Sequence, residues 1–134
     1  MKQSEDEQYL QLLSIFHYIV GGMVGLFACF PIIHFAFGLS MLVSGFTQSP
    51  QGEPVLIGLF FTLLAGGFIL FGWAFAICVI LTGRFIAKRK NHMFCLVVAG
   101  TECMFTPFGT VLGVFTIIVL IRPSVKAAFE KLPA

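Results

Sequence analysis

The chain predicts an all-α membrane protein with two long transmembrane helices and a third apolar block that proline and glycine break into two short helices; three transmembrane helices are the alternative. Three observations carry this expectation. Of the 134 residues, 58% are hydrophobic and 10% charged, against roughly 45–50% and about 25% in a soluble domain. The mean hydropathy is +0.99, more apolar surface than a chain of this length can hide in its own core, so the bilayer must cover most of it. The apolar residues also gather into three blocks, 10–46, 54–86 and 93–121, each longer than the roughly 20 residues that span the hydrocarbon core.

These blocks make one membrane domain over 1–134. The first helix is expected over about 5–45. Ser4-Glu5-Asp6-Glu7 reads as a capping box, with acidic side chains facing the positive end of the helix dipole. At about 1.5 Å per residue, some forty residues reach roughly 60 Å, twice the hydrocarbon thickness, so this helix must leave the membrane, lie in the interface or bend. Gly21-Gly22 and Pro31 are the candidate bending points. Residues 46–54, rich in Pro, Gly and Ser, read as a loop. A second helix is expected over about 55–87, then a basic loop over 84–92.

The N-terminus is acidic apart from Lys2 and lacks a basic stretch and a small-residue cleavage site, so the first apolar segment is expected to stay in the mature protein. Arg84, Lys88, Arg89 and Lys90 are four of the eight basic residues, whereas loop 46–54 has none. By the positive-inside rule the basic loop and the N-terminus are cytoplasmic and loop 46–54 external. Arg122 and those four basic side chains are expected to face lipid headgroups, and His92 to join them.

If the third block crossed once, Arg122, Lys126 and Lys131 would lie outside. Pro107 removes a backbone donor in mid-block and, with Gly109, allows a turn. A break there gives helices over about 93–106 and 109–121 that return the tail to the cytoplasm and leave all eight basic residues on one side. Each half reaches only about 20 Å, which implies a re-entrant hairpin or a thinned crossing. A single tilted, proline-kinked span stays open. The tail, 123–134, spaces Val125, Ala128, Phe129 and Leu132 as a short interfacial helix would.

Glu102 is the one acidic residue inside the three apolar blocks, and a carboxylate at membrane depth is costly enough to read as functional. His34 is its expected partner. Cys95, seven residues earlier, lies on the same helical face, and Thr101 adds a hydroxyl. The group could tie helices together, hold an exchangeable proton or ion, or sit near an interface above a shallow hairpin. Gly21-x-x-x-Gly25 and Gly109-x-x-x-Gly113 are small-residue stripes that permit close helix approach, within the chain or between copies.

Other chemistry finds little support. Cys29, Cys78, Cys95 and Cys103 form no C-x-x-C pair and read as unpaired thiols. His17, His34 and His92 make no metal motif, and a bis-histidine haem rests on nothing but the imidazoles. No metal or cofactor is expected. The net charge of +2 gives nucleic acid no purchase, and no phosphate loop, catalytic triad or acidic pair appears, so an enzyme is not expected.

Arg84, Phe94-Cys95, Glu102-Cys103 and Pro107-x-Gly109-Thr110-x-Leu112-Gly113, preceded by His17-Tyr18, resemble a group of small bacterial inner-membrane proteins over most of the chain. That resemblance implies a bacterial inner-membrane location and attaches no activity. The leading functional expectation is a non-catalytic accessory or assembly subunit that self-associates or joins a larger membrane complex. The alternative is a small channel or proton-coupled transporter centred on Glu102. A quinone- or haem-associated redox subunit is the third.

Overall fold

A computed structural model describes residues 2–48, 52–105 and 107–131. The described residues form six helices: α1 (Lys2–Cys29), α2 (Ile32–Gln48), α3 (Glu53–Lys88), α4 (His92–Glu102), α5 (Phe108–Leu120) and α6 (Pro123–Glu130). The chain is all-α, and its helical segments Glu5–Gln48 and Glu53–Lys88 are long and apolar enough to cross a membrane. A third, bent pair, α5 with α6, turns through 76°.

The expected first helix divides at Pro31. Proline has no amide hydrogen to donate to Phe27, and the Phe30 amide takes the Phe27 carbonyl instead (3.1 Å) before Phe35 N–H to Pro31 O (2.8 Å) starts α2. Gly21-Gly22, the other candidate bend, stays helical. Helix α1 is already running at Lys2, so Ser4 lies within the first turn rather than before it; the Ser4 side chain of the expected capping box lies outside the described residues. Residues 49–51 of the expected loop and Leu132 of the tail lie outside them as well.

The helices contribute to two compact units, 1–22 with 76–134, and 23–75. In the second unit, α2 packs antiparallel on the first part of α3 through small residues seven apart: Gly38 and Gly45 on α2, Gly58, Ala65 and Gly72 on α3. A Cβ at Gly38 would lie 2.8 Å from Thr62 N, one at Gly58 2.7 Å from Leu42 N, and one at Gly45 2.6 Å from a Val55 methyl. Gly72 meets Ala28 in the same way at 2.7 Å. A seven-residue period keeps one seam facing its neighbour, and the missing side chains let the backbones close.

In the first unit, α1 meets the later part of α3 through Gly21, whose Cβ would lie 2.6 Å from Ile80 Cγ1, and Gly83, whose Cβ would lie 3.0 Å from both Ser14 O and His17 Cβ. Ser14 Oγ–H donates across this contact to Gly83 O (2.8 Å). Helix α3 ends in a left-handed residue, Arg89 (φ 52°). Lys90 N–H reaches Phe85 O (2.9 Å) and Arg89 N–H reaches Ile86 O (3.2 Å), the paired bonds that satisfy the last carbonyls of a helix.

The third block doubles back. His92 stands opposite Leu120, Ala99 opposite Gly113 and Cys103 opposite Thr110, which fixes α4 and α5 as an antiparallel hairpin. The connection between α4 and α5 is stapled by Thr110 Oγ–H to Cys103 O (2.9 Å). Pro107 caps α5 as expected of a residue without a donor. Gly109 has no positive φ. Its role is proximity rather than turning, since a Cβ there would lie 2.6 Å from Glu102 O. A Cβ at Gly113 would collide with Ala99 O.

Charged residues collect where α1 begins and where α3 and α5 end. Arg89 pairs with Glu7 (2.8 Å), and Arg122 with Asp6 (3.2 Å), whose other oxygen accepts from Ser124 Oγ–H (2.6 Å). Pro123 starts α6 at the bend, and Val125 and Phe129 turn inward onto a core of Leu10, Leu13, Ile86, Cys95, Leu112, Val119 and Leu120.

The two glycines of the hairpin give contrasting predictions. Gly113→Ala is expected to cost about 1–3 kcal/mol, because the methyl meets backbone that cannot give way. Gly100→Ala meets nothing within 4 Å and is expected to be neutral or slightly stabilising, since alanine favours helix. Thermal unfolding in mild detergent compares them; equal stability would contradict so close an approach of α4 to α5.

Candidate functional site

Glu102 closes α4, directly before the turn, and its side chain is 1% exposed. His17 is 0% exposed, on the α1 face that also buries Leu10, Leu13, Ser14 and Gly21 at helical spacing. His17 Nε2 lies 3.3 Å from Glu102 Oε2. The expected partner, His34, is not the one used. His34 belongs to the other unit, where its ring is exposed and tilted against Phe30 (5.8 Å between centroids).

The reason lies in depth counted from the charged residues. His17 stands ten residues beyond Glu7, about 15 Å along α1. Glu102 stands ten residues beyond the first residue of α4, about 15 Å along a helix that starts just after the Arg89 turn. Glu7 and Arg89 touch, so the two side chains arrive at one level. That arithmetic needs the Glu7–Arg89 contact, which only the structure supplies.

Among the described residues, the buried polar side chains of this unit other than the pair itself, Ser14, Thr82 and Thr116, are engaged with backbone carbonyls. His17 Nδ1 lies 2.8 Å from Leu13 O; a carbonyl oxygen only accepts, so Nδ1 carries the hydrogen and Nε2 is the nitrogen turned to Glu102. Thr82 and Thr116, both 0% exposed, donate to Cys78 O (2.9 Å) and Leu112 O (2.7 Å) in their own helices. The approach of Nε2 to Oε2 is at ion-pair distance but not aligned as a hydrogen bond, so Nε2, Oε1 and Oε2 are buried without a hydrogen-bond partner. The distance describes the electrostatics and the misalignment describes the geometry, and both hold.

The remaining expected site residues do not converge on Glu102. Cys95 is buried on the same face, but its thiol is turned to the carbonyls of Lys90 (3.9 Å) and Thr82 (4.0 Å), nearer the charged end. Thr101 donates to Val97 O (3.0 Å) in its own helix. All four cysteines are free. Gly21, Gly109 and Gly113 serve contacts within the chain, while Gly25 is half-buried and its carbonyl accepts from the Cys29 thiol (3.4 Å).

Of the headgroup-facing set, Arg84, Lys88 and Lys90 are exposed, whereas Arg89 and Arg122 are held by Glu7 and Asp6. His92 leaves that set. Its Nε2–H donates to Leu120 O (2.9 Å), and its ring meets Phe129 edge to face (5.3 Å), so it ties the start of α4 to the end of α5 and to α6. No protein family, curated protein or solved structure matches this chain.

A buried pair of this kind predicts strong coupling. His17→Leu is expected to cost about 3–5 kcal/mol, because it strands a carboxylate among apolar side chains, and the double change with Glu102→Leu is expected to recover much of that loss. A double-mutant cycle on unfolding in detergent measures the coupling; simply additive losses would show that the two side chains do not interact.

Proposed function

We propose that the protein is a non-catalytic membrane subunit that associates with itself or with a larger membrane complex. The observation that carries this reading is His34. This imidazole is exposed in the middle of an apolar segment and makes no hydrogen bond among the described residues. It shares a shallow cavity of about 200 Å³ with Phe30, Pro31, Phe61, Leu64, Ala65 and Phe68. A polar side chain turned toward lipid is costly, and a neighbouring helix relieves that cost by hydrogen bonding. Large apolar side chains flank it, among them Phe30 (67% exposed), Ile33 (70%) and Phe68 (62%).

The location belongs to the same proposal: a bacterial inner membrane, with the N-terminus and the basic loop cytoplasmic and loop 46–54 external. The positive-inside rule supports it, as does the gathering of Arg89 and Arg122 around the acidic start of α1. The test is oligomeric state, by sedimentation in mild detergent and by cross-linking in native membranes. The expected result is a stable oligomer or a co-purifying membrane partner, weakened by roughly 1 kcal/mol in His34→Leu. A monodisperse monomer that brings no partner from native membranes would remove this reading.

A second reading, a small channel or proton-coupled transporter, is favoured by one observation, the buried carboxylate whose oxygens lack hydrogen-bond partners. It centres on Glu102 with His17 in place of His34. Proteoliposome flux should then fall by at least about tenfold in Glu102→Gln, as for a group that must itself carry the proton. Absent flux, or flux unchanged by the substitution, would discard it.

A further inference from the structure

We infer that the groove between α1 and the end of α3 binds one phospholipid with an ethanolamine headgroup, its ammonium held by Glu7 and Gln11 and its phosphate by Arg89. This site lies within the first unit and is independent of the association proposed above, which concerns His34 and the other unit.

The groove is a cavity of about 480 Å³, within the roughly 300–1,000 Å³ of small-molecule sites. Its floor is buried and apolar apart from one engaged hydroxyl, since Ser14 Oγ–H, between Leu10 and Ile86, donates to Gly83 O (2.8 Å). Along α1 the groove is edged by Glu7, Gln11 and Ile15, spaced four apart and all exposed. Four residues advance about 6 Å along a helix, so this edge passes from charge to carboxamide to hydrocarbon over about 12 Å. A phospholipid changes in the same order, from charged headgroup through the ester linkages to the acyl chain. The charged end of the groove lies where the ion pairs of α1 with Arg89 and Arg122 collect, at the boundary between apolar helix and water. On the α3 side Ala87, which is exposed, contributes no more than a methyl group and leaves the groove open.

The headgroup end carries both signs of charge. Arg89 Nη2 donates to Glu7 Oε1 (2.8 Å), the one hydrogen bond that either side chain makes among the described residues. A guanidinium has five donors and a carboxylate two acceptor oxygens, so the pair can take both halves of a zwitterion without breaking its own bond. The spare N–H groups of Arg89 suit a phosphate, whose oxygens match the fork of a guanidinium. Glu7 Oε2 and the carboxamide oxygen of Gln11 suit the three hydrogens of a primary ammonium. Ethanolamine phosphate holds these two groups two carbons apart, as the adjacent acid and base require. A choline headgroup has no N–H to offer Glu7. A glycerol headgroup has no cation at all and leaves the Glu7 carboxylate facing an unbalanced phosphate.

The backbone supports the same assignment. Arg89 stands in the left-handed region (φ 52°) at the end of α3, a position that glycine ordinarily fills and that a residue with a side chain occupies under strain. Strain of this kind gathers at ligand-binding positions. Here it sets a guanidinium on the groove.

The test mixes the full chain in mild detergent with phosphatidylethanolamine, phosphatidylcholine and phosphatidylglycerol of one acyl composition, and counts bound lipid by native mass spectrometry. The expected result is one phosphatidylethanolamine per chain, retained at least about fivefold over either of the others. Equal retention of the ethanolamine and choline lipids would overturn the inference. So would preferred retention of phosphatidylglycerol, which would mark a surface that is merely basic. Water-soluble glycerophosphoethanolamine at equal concentration should leave the lipid in place, and its displacing the lipid would show that the apolar end of the groove holds no acyl chain. Glu7→Gln should reduce retention of the ethanolamine lipid to that of the choline lipid; a preference left intact would overturn the assignment. Ala87→Leu leaves both charges in place and fills the groove from an exposed position, so it keeps the test decisive if Glu7→Gln fails to fold. It should lower retention of phosphatidylethanolamine about fivefold, and undiminished retention would overturn the site.

Discussion

A carboxylate that loses its water must find compensation nearby, and the arrangement of the first unit follows from how Glu102 meets that requirement. Its burial puts a formal charge among apolar helices, where leaving it alone would cost more than the packing of a short helix returns. His17 is the ionisable side chain that α1 offers at that level, 3.3 Å away. The hairpin cannot slide along α1 or turn about its own axis without separating the two. Ser14 bonding to Gly83 and His92 bonding to Leu120 act in the same sense, as polar ties set into apolar contacts. Each fixes register where dispersion forces alone would be nearly indifferent to it.

The glycines make these ties reachable. At Gly83, α3 comes close enough to α1 that a Cβ would lie 3.0 Å from His17 Cβ, so only a glycine admits this approach beside the imidazole's helix position. Gly109 and Gly113 let α5 lie directly on the backbone of α4 near Glu102 O and Ala99 O. Membrane helices gain no hydrophobic advantage over lipid by touching one another, and close backbone approach is their main alternative source of attraction. The same device, at a seven-residue period, joins α2 to α3 in the other unit. The site and the scaffold thus rest on one principle: backbones brought together by absent side chains, with a few polar bonds to choose the register.

The contrast between the two histidines near the middle of their apolar segments bears on function. His17 is wholly buried and faces an acid, while His34 is exposed beside phenylalanines. One histidine finishes its chemistry inside the chain, and the other presents its chemistry outward.

Composition and block lengths were enough to read the helical membrane class and the long helix over 53–88, because burial in lipid demands long apolar runs whatever their partners. Pro107 made the break in the third block legible, since a missing donor is a local fact. Pro31 was legible as one of two candidate bending points, and Gly21-Gly22 stays helical because glycine permits a break without compelling one. The importance of Glu102 was plain from its isolation among apolar residues. Its partner was not, because His17 and His34 are equivalent as residue types and differ only in which face and level their helices reach. That choice belongs to the tertiary structure: Glu7 meeting Arg89 sets α1 against the end of α3, Gly83 closes the gap, and the hairpin then delivers Glu102 to His17. The sequence by itself determined that a buried charge would need company, and only the packing of separate helices decided which imidazole supplied it, since pairing depends on distances between elements that no local pattern encodes.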